Sequence, residues 1–334
     1  CNALCKMCDS WQMPRGEELT PAQADALFRD IGPLDVVRLT GGEPFLRRDL
    51  LTIAENVMRA SNPLTLHVTT NGSKVNETLR FAEQFSRPKR LHVMVSFDGL
   101  EEVHDANRGP AVTFDKAIET VRGLAEIRAS RKIGLSVNHT VISEESMADG
   151  DALRELFAVM NVDVQSVLAY ADSALYGADR AGACADDLIS DSSYPLREEL
   201  RDADTVRFVE KETARCEQIQ QRALRCGKSY YWNGVRQRIA PAPGGNGTIR
   251  KPRCVALRSH VRILPNGDAP VCQFNGEVVG NLLRDSFRNV WHGERATALR
   301  KWVDRCPGCW AECEVIPNAI YSGDIIRGYA KVKS

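Results

Sequence analysis

Val36-Val37-Arg38-Leu39-Thr40-Gly41-Gly42-Glu43-Pro44 decides how this chain is read. A short apolar run stops at a Thr-Gly-Gly turn, as a buried strand does when its connection bends back at once. Upstream, Thr20-Pro21 supplies an N-cap followed by proline at the first helical position. That helix runs through Ala26-Leu27-Phe28 and should stop at Gly32-Pro33. Downstream, Asp49 is placed to cap a helix from Leu50 to Ala60, whose apolar residues recur at helical spacing. The unit then repeats. Leu64–Thr69 reads as a strand closed by Thr70-Asn71-Gly72, with a helix around Asn76–Phe85. Leu91–Phe97 reads as a strand closed by Asp98-Gly99, and Thr113 should cap a helix running to about Ser130. Ile133–Val141, a helix near Ser146–Met160 and the strand Val164–Tyr170 end the series.

Strands alternating with helices imply βαβ units and a parallel sheet. The expected class is α/β, a partial (β/α)6 TIM-like barrel whose first strand lies upstream of Cys1. In such barrels the loops after the C-terminal ends of the strands carry the chemistry. Cys1–Cys8, Gly41–Pro44, Thr70–Gly72 and Ser96–Gly99 then share one rim. Beyond the series, Pro195 to Arg225 reads as a long charged helix that Gly227 could end, and residues 240–247 as a turn-rich linker. His260–Leu264 and Ala269–Gln273 flank Pro265-Asn266-Gly267-Asp268, a hairpin signal, and Arg295–Val303 reads as a helix. The expected division is a barrel over 1–172, a helical and loop linker or lid over 173–250, and a small β-hairpin-plus-helix domain over 251–334.

Forty-four basic and forty-four acidic residues cancel, and no long run of one sign occurs. That excludes the electrostatic footprint of a nucleic-acid or anionic-membrane binder. No apolar run is long enough to cross a bilayer. Eleven cysteines, grouped near 1–8 and 254–313, look like metal ligation by reduced thiols, so the cytoplasm is the expected location.

The first group, Cys1-Asn2-Ala3-Leu4-Cys5-Lys6-Met7-Cys8, spaces three thiols as C-x3-C-x2-C. Thiolates select zinc, copper(I) or iron–sulfur clusters. A closed tetrahedral site wants a fourth protein ligand nearby, and none follows at finger or ribbon spacing. Three ligands suit a cubane with one iron left open, although a structural zinc knuckle uses the same residue type. Gly41-Gly42-Glu43-Pro44 adds glycines that let a backbone edge approach a ligand, and a carboxylate that could meet an ammonium group.

Together, C-x3-C-x2-C and the downstream Gly-Gly-Glu-Pro resemble the signatures of the radical S-adenosylmethionine (SAM) enzymes, and the βα series fits that family's partial barrel. The resemblance implies a [4Fe–4S] cluster on Cys1, Cys5 and Cys8, with SAM on its fourth iron. It also implies reductive cleavage of SAM to methionine and a 5′-deoxyadenosyl radical. Gly41, Gly42, Glu43 and Pro44 would hold the SAM amino group. Thr70, Asn71, Ser96, Asp98 and Asn138 match positions that contact its ribose and methionyl parts, and Met7 would pack near adenine. Arg108 is placed either to bind a carboxylate or to make a helix-capping salt bridge. An electron donor of flavodoxin or ferredoxin type is implied as partner.

The second group is similar to the one-cluster twitch form of SPASM domains, through Cys254, twelve residues, Gly267, four residues and Cys272. That resemblance implies an auxiliary [4Fe–4S] cluster on Cys254, Cys272, Cys306 and Cys309, with Cys313 in reserve. A zinc ribbon would use the same thiols. Cys184, Cys216 and Cys226 remain, and the default for a lone thiol is inert packing. In radical SAM epimerases, however, a cysteine returns hydrogen to the substrate, so these three and Cys313 are candidate donors. The expected activity is oxidation or epimerisation of a carbohydrate-like or natural-product small molecule. Maturation of a ribosomally made peptide is the alternative, and a non-catalytic iron–sulfur or zinc protein the rival of another class.

Overall fold

The computed structural model describes residues 1–13, 16–170, 175, 197, 200, 202–219, 222–239, 253–306 and 308–325. The first helix, α1 (Pro21–Ile31), begins with a capping box: the Thr20 hydroxyl accepts from the Gln23 backbone N–H, and the Gln23 side chain accepts from the Thr20 backbone. After it come β1 (Val36–Leu39), α2 (Leu50–Ser61), β2 (Thr65–Thr70), α3 (Val75–Gln84) and β3 (Leu91–Phe97). The series goes on with α4 (Glu101–Arg108), α5 (Phe114–Arg131), β4 (Gly134–Val141), α6 (Glu144–Ala148), α7 (Gly150–Ala158) and β5 (Asp163–Leu168). The strands form one five-stranded sheet in the order β1-β2-β3-β4-β5, every pair parallel.

The expected alternation is therefore present, with local differences. Asp49 precedes α2 but makes no cap bond, because its carboxylate is held by Arg47 at 2.9 Å. The single helix expected over 146–160 is two, broken where Asp149 turns to accept the Leu100 backbone N–H. Helix α4 has no counterpart in the sequence reading. Its eight residues are too short and too polar for apolar periodicity to report them.

Each strand turns one face to the helices. Val37, Leu66, Val68, Val93, Val95, Leu135 and Val137 join α2, α3 and α5 side chains such as Val57, Phe81 and Leu124 in a single core. Fully burying an aliphatic side chain of this size stabilises by roughly 1.5–3 kcal/mol, so this layer fixes the sheet register. The intervening residues face the other way.

Beyond the sheet, α8 (Ala203–Cys216) and α9 (Arg222–Ile239) replace the single helix expected over 195–225. Gly227 does not end it, but lies inside α9 with room for ordinary contact with Ile316 and Ile325. Packing overrides the glycine signal there. The C-terminal region contains β6 (Asp268–Pro270), β7 (Val278–Asn281), α10 (Phe287–His292), α11 (Glu294–Arg305) and α12 (Glu312–Tyr321). The turn at 264–268 is present, with the Leu264 N–H bonded to the Asp268 carbonyl and Gly267 at φ +87°. The strand partner of β6, however, is β7, antiparallel, and not the segment 260–264. The boundary expected at 240–250 lies outside the described residues. Among the described residues no helix is long and apolar enough to cross a membrane.

Candidate active site and metal centres

The C-terminal ends of the strands gather the first cysteine group. Gly42, after β1, lies so close to Cys1 that a Cβ there would stand 2.8 Å from the Cys1 Cβ and nitrogen. Asn2 donates to Ser73 at 2.9 Å and accepts from Asn71 at 3.0 Å, both residues of the turn after β2. The Leu4 N–H donates to the Arg108 carbonyl at 2.9 Å, and the Lys6 N–H to the Asn107 side-chain oxygen at 3.1 Å. The Asn107 amide also donates to the Met7 sulfur at 3.0 Å. The loop is thus pinned to two βα turns and to the end of α4. Gly42→Ala should push it off its seat and lower 5′-deoxyadenosine formation by roughly a hundred-fold, given what small misplacements cost. Chromatographic quantitation of the nucleoside checks this, and an unchanged rate would show that the loop yields.

Glu43 is almost wholly buried and already engaged. Its Oε1 accepts from the Phe45 N–H at 3.0 Å and from the Thr70 hydroxyl at 2.8 Å, and its Oε2 from the Asn71 N–H at 2.7 Å. Burial raises its pKa, partly offset by these donors. Its carboxylate joins the turn after β1 to the turn after β2, which leaves the flanking glycine backbone as the edge open to a ligand. Asp98, expected at the SAM site, is held more tightly still. It is fully buried, with Arg108 bidentate on its two oxygens at 2.6 Å each and the Asn107 amide on Oδ2 at 2.6 Å. Arg108, in the last turn of α4, gives its guanidinium to Asp98, so of the two roles held for it the salt bridge at the helix end is the one present. Ser96 and Asn138 are register partners on the concave face, and the Asn138 amide donates to Thr140 at 3.0 Å. Burial pushes the Cys5 thiol up to about 11 against the lowering influence of Arg108, so binding a metal there must release a proton.

The second group converges separately. Cys254, Cys272, Cys306 and Cys309 line one small, largely enclosed cavity of about 20 Å³, together with Glu314 and Asn318. Burial pushes Cys254 up to about 12 and raises Cys272 and Cys309 well above their usual value. The Gly308 N–H donates to the Cys306 sulfur at 3.4 Å. Glu314 would rise on burial, but His260 and Arg262 hold it down at about 2. Among the described residues no three His, Cys, Asp or Glu side chains close on one point as they would around a single ion. Four thiols around one cavity, with a backbone N–H aimed at one sulfur, are a donor set that fits a thiolate-held iron–sulfur cluster.

Residues 1–157 match the family model of the radical SAM superfamily, and residues 254–313 that of an iron–sulfur cluster-binding domain, SPASM. The chain contains a radical SAM domain followed by a SPASM domain. The radical SAM domain implies a [4Fe–4S] cluster with SAM, and the SPASM domain an auxiliary iron–sulfur centre. The chain is 33% identical over 153 residues to pre-heme d1 synthase of Dinoroseobacter shibae, covering 45% of this chain and 36% of that protein. It is 33% identical over 160 residues to GTP 3′,8-cyclase of Rhodopseudomonas palustris, covering 45% and 43%. It is 29% identical over 150 residues to the sporulation killing factor maturation protein SkfB of Bacillus subtilis, covering 44% and 35%. In each case the chain spans less than half the length of the relative. Among solved structures, native anSMEcpe with bound AdoMet and Cp18Cys peptide superposes with TM-score 0.60 at 17% identity, over 91% of this chain and 80% of that one.

Of the four thiols expected as hydrogen donors, Cys184 and the Cys313 side chain lie outside the described residues. Cys226 is half-buried on α9. Cys216, at the end of α8, is buried and lines a cavity along the free edge of β5, with Gln165, Lys228 and Trp232. Burial, aided by Glu212, pushes its thiol up to about 11, so it keeps its hydrogen at neutral pH. The sequence reading missed a largely polar lining on the concave face: Thr69, Ser136 and Gln165 beside Ser96 and Asn138, with Met94 among them as an apolar member. The signal was the polar alternation His67, Thr69 within β2, which in isolation looks like a solvent face.

Proposed function

We propose that this chain removes a hydrogen atom from a small polar organic molecule seated in the concave face of the sheet, leading to its oxidation or epimerisation. One observation carries the reading. The face of the sheet away from the helices carries Arg38, His67, Thr69, His92, Ser96, Ser136, Asn138 and Gln165, and polar groups of this kind select a polar ligand. Cys1, Cys5 and Cys8 would hold the cluster, with SAM on its open iron and its amino group on the glycine backbone at 41–42. When bound, the reduced cluster and SAM supply a 5′-deoxyadenosyl radical. Cys254, Cys272, Cys306 and Cys309 would hold the auxiliary cluster, and a flavodoxin or ferredoxin would deliver the electron. The barrel would span residues 1–172 and the auxiliary domain 251–334. Cys216 supplies the exchangeable S–H that epimerisation needs, since a returned hydrogen must come from a protein group.

The test is incubation of holoenzyme, SAM and reductant with an ultrafiltered metabolite extract in deuterated water. A dehydrogenase yields a species two mass units lighter than its precursor. An epimerase yields one of unchanged oxidation level with a single deuterium, which should disappear with Cys216→Ala. Maturation of a ribosomally made peptide is the second reading, favoured by the likeness to SkfB. It replaces the first if only peptides from the retained fraction change mass.

A further inference from the structure

At the N-terminal end of the concave face, one row of side chains crosses the sheet. Arg38 on β1 is the register partner of His67 on β2, His67 of His92 on β3, and His92 of Gly134 on β4. The two imidazoles are stacked, with centroids 5.0 Å apart and planes 9° from parallel. His92 Nε2 stands 2.8 Å from the Ser136 hydroxyl, which fixes the ring. A Cβ at Gly134 would lie 2.5 Å from His92 Nδ1, so only glycine there lets the ring lie flat across β4. Arg38, in contrast, makes no hydrogen bond or ion pair with any described residue. Arg38 is exposed, and its guanidinium offers five donors in a planar fork beside this closely built row.

We infer that this row is an anion subsite at the floor of the substrate cavity, where Arg38 grips a carboxylate or phosphate of the substrate and the stacked rings of His67 and His92 form its wall. The inference rests on the proposed function, since it places the substrate on the concave face. Burial, with the Arg38 charge beside it, pushes His67 down to about 2 and lowers His92 as well. Both rings are therefore neutral, and the row carries the single positive charge of Arg38. Glu312 on α12 also senses Arg38, but it is ion-paired with Lys228 of α9 at 2.8 Å, and that pair is neutral as a whole. An anionic group at one end of the substrate would orient the rest towards the cysteine loop at the opposite end of the strands.

The experiment is calorimetric titration of the SAM-loaded holoenzyme with inorganic phosphate and, separately, with malonate. SAM is kept saturating so that its own carboxylate site is filled. Wild type should bind at least one anion saturably, and the tighter of the two names the substrate group. Arg38→Gln should weaken it by about ten- to a hundred-fold, the worth of a charge-assisted hydrogen bond, and Arg38→Lys by less, since it keeps the charge but loses the fork. Both variants are compared at wild-type iron content. No binding to wild type, or equal binding to Arg38→Gln, overturns the subsite. Failure of wild type to cleave SAM would overturn the radical reading instead, so the two can fail separately.

Discussion

Replacing Cys1, Cys5 and Cys8 together by alanine should abolish 5′-deoxyadenosine formation while the second iron site stays loaded. The three thiols are the only cysteines on the rim formed by the turns after β1, β2 and β3 among the described residues. A [4Fe–4S] cluster held by thiolates has no other ligand set to move to there. The auxiliary thiols line a different cavity, closed by α11 and α12 residues such as Val303 and Glu314. Iron and sulfide analysis should therefore give about eight of each in wild type and about four in the triple variant. Activity at the wild-type rate would remove the assignment. Zinc in place of the residual iron would turn the auxiliary site into a ribbon. Loss of all iron would show that the two sites do not load independently.

The barrel was legible in the sequence because its strands are buried on the helix side and closed by glycine turns. β3 at Leu91–Phe97 and β1 at Val36–Leu39 sit where the apolar runs place them. What could not be read was whatever depends on a partner far along the chain. Asp98 looks like a free carboxylate at a strand end, and only the fold shows Arg108 closing on it from the end of α4. Gly227 looks like a helix stop until α12 is seen packed against it. The pairing of β6 with β7 spans a loop that carries Cys272 and Asn275-Gly276, a hairpin signal that the sequence reading passed over, whereas Pro265-Asn266-Gly267-Asp268 drew that reading and supplies only the turn. The thiols were legible from spacing alone, as spacing follows the geometry of a cluster. The row Arg38, His67, His92 was not, because its members come from three strands with no common motif.

Arg108→Met should destabilise the chain by about 3–5 kcal/mol, the usual cost of leaving a buried charge without its partner. Both members of the pair are almost wholly buried, and the two contacts of 2.6 Å are bidentate. Burial alone would raise Asp98, but the Arg108 charge and hydrogen bonds outweigh it and hold the carboxyl below its ordinary value. A carboxylate depressed in this way stabilises the fold fully above the unfolded pKa of about 3.9, and that contribution is lost as pH falls through the lower folded value. In Arg108→Met the buried Asp98 would instead be raised, so the variant regains stability as acid protonates it. The gap between the two urea-unfolding free energies should thus be full at neutral pH and narrow on acidification. Asp98→Leu combined with Arg108→Met should recover part of the loss, because no charge is then stranded. Asn107→Ala separates positioning from stability. It keeps the ion pair yet removes the bonds to the Lys6 N–H and the Met7 sulfur, so it should loosen the cysteine loop and lower its iron content at a smaller cost in stability. If Arg108→Met unfolds at the wild-type urea concentration at neutral pH, the pair does not hold the end of β3 to α4, and the seat of the cysteine loop must rest on the turns after β1 and β2 alone.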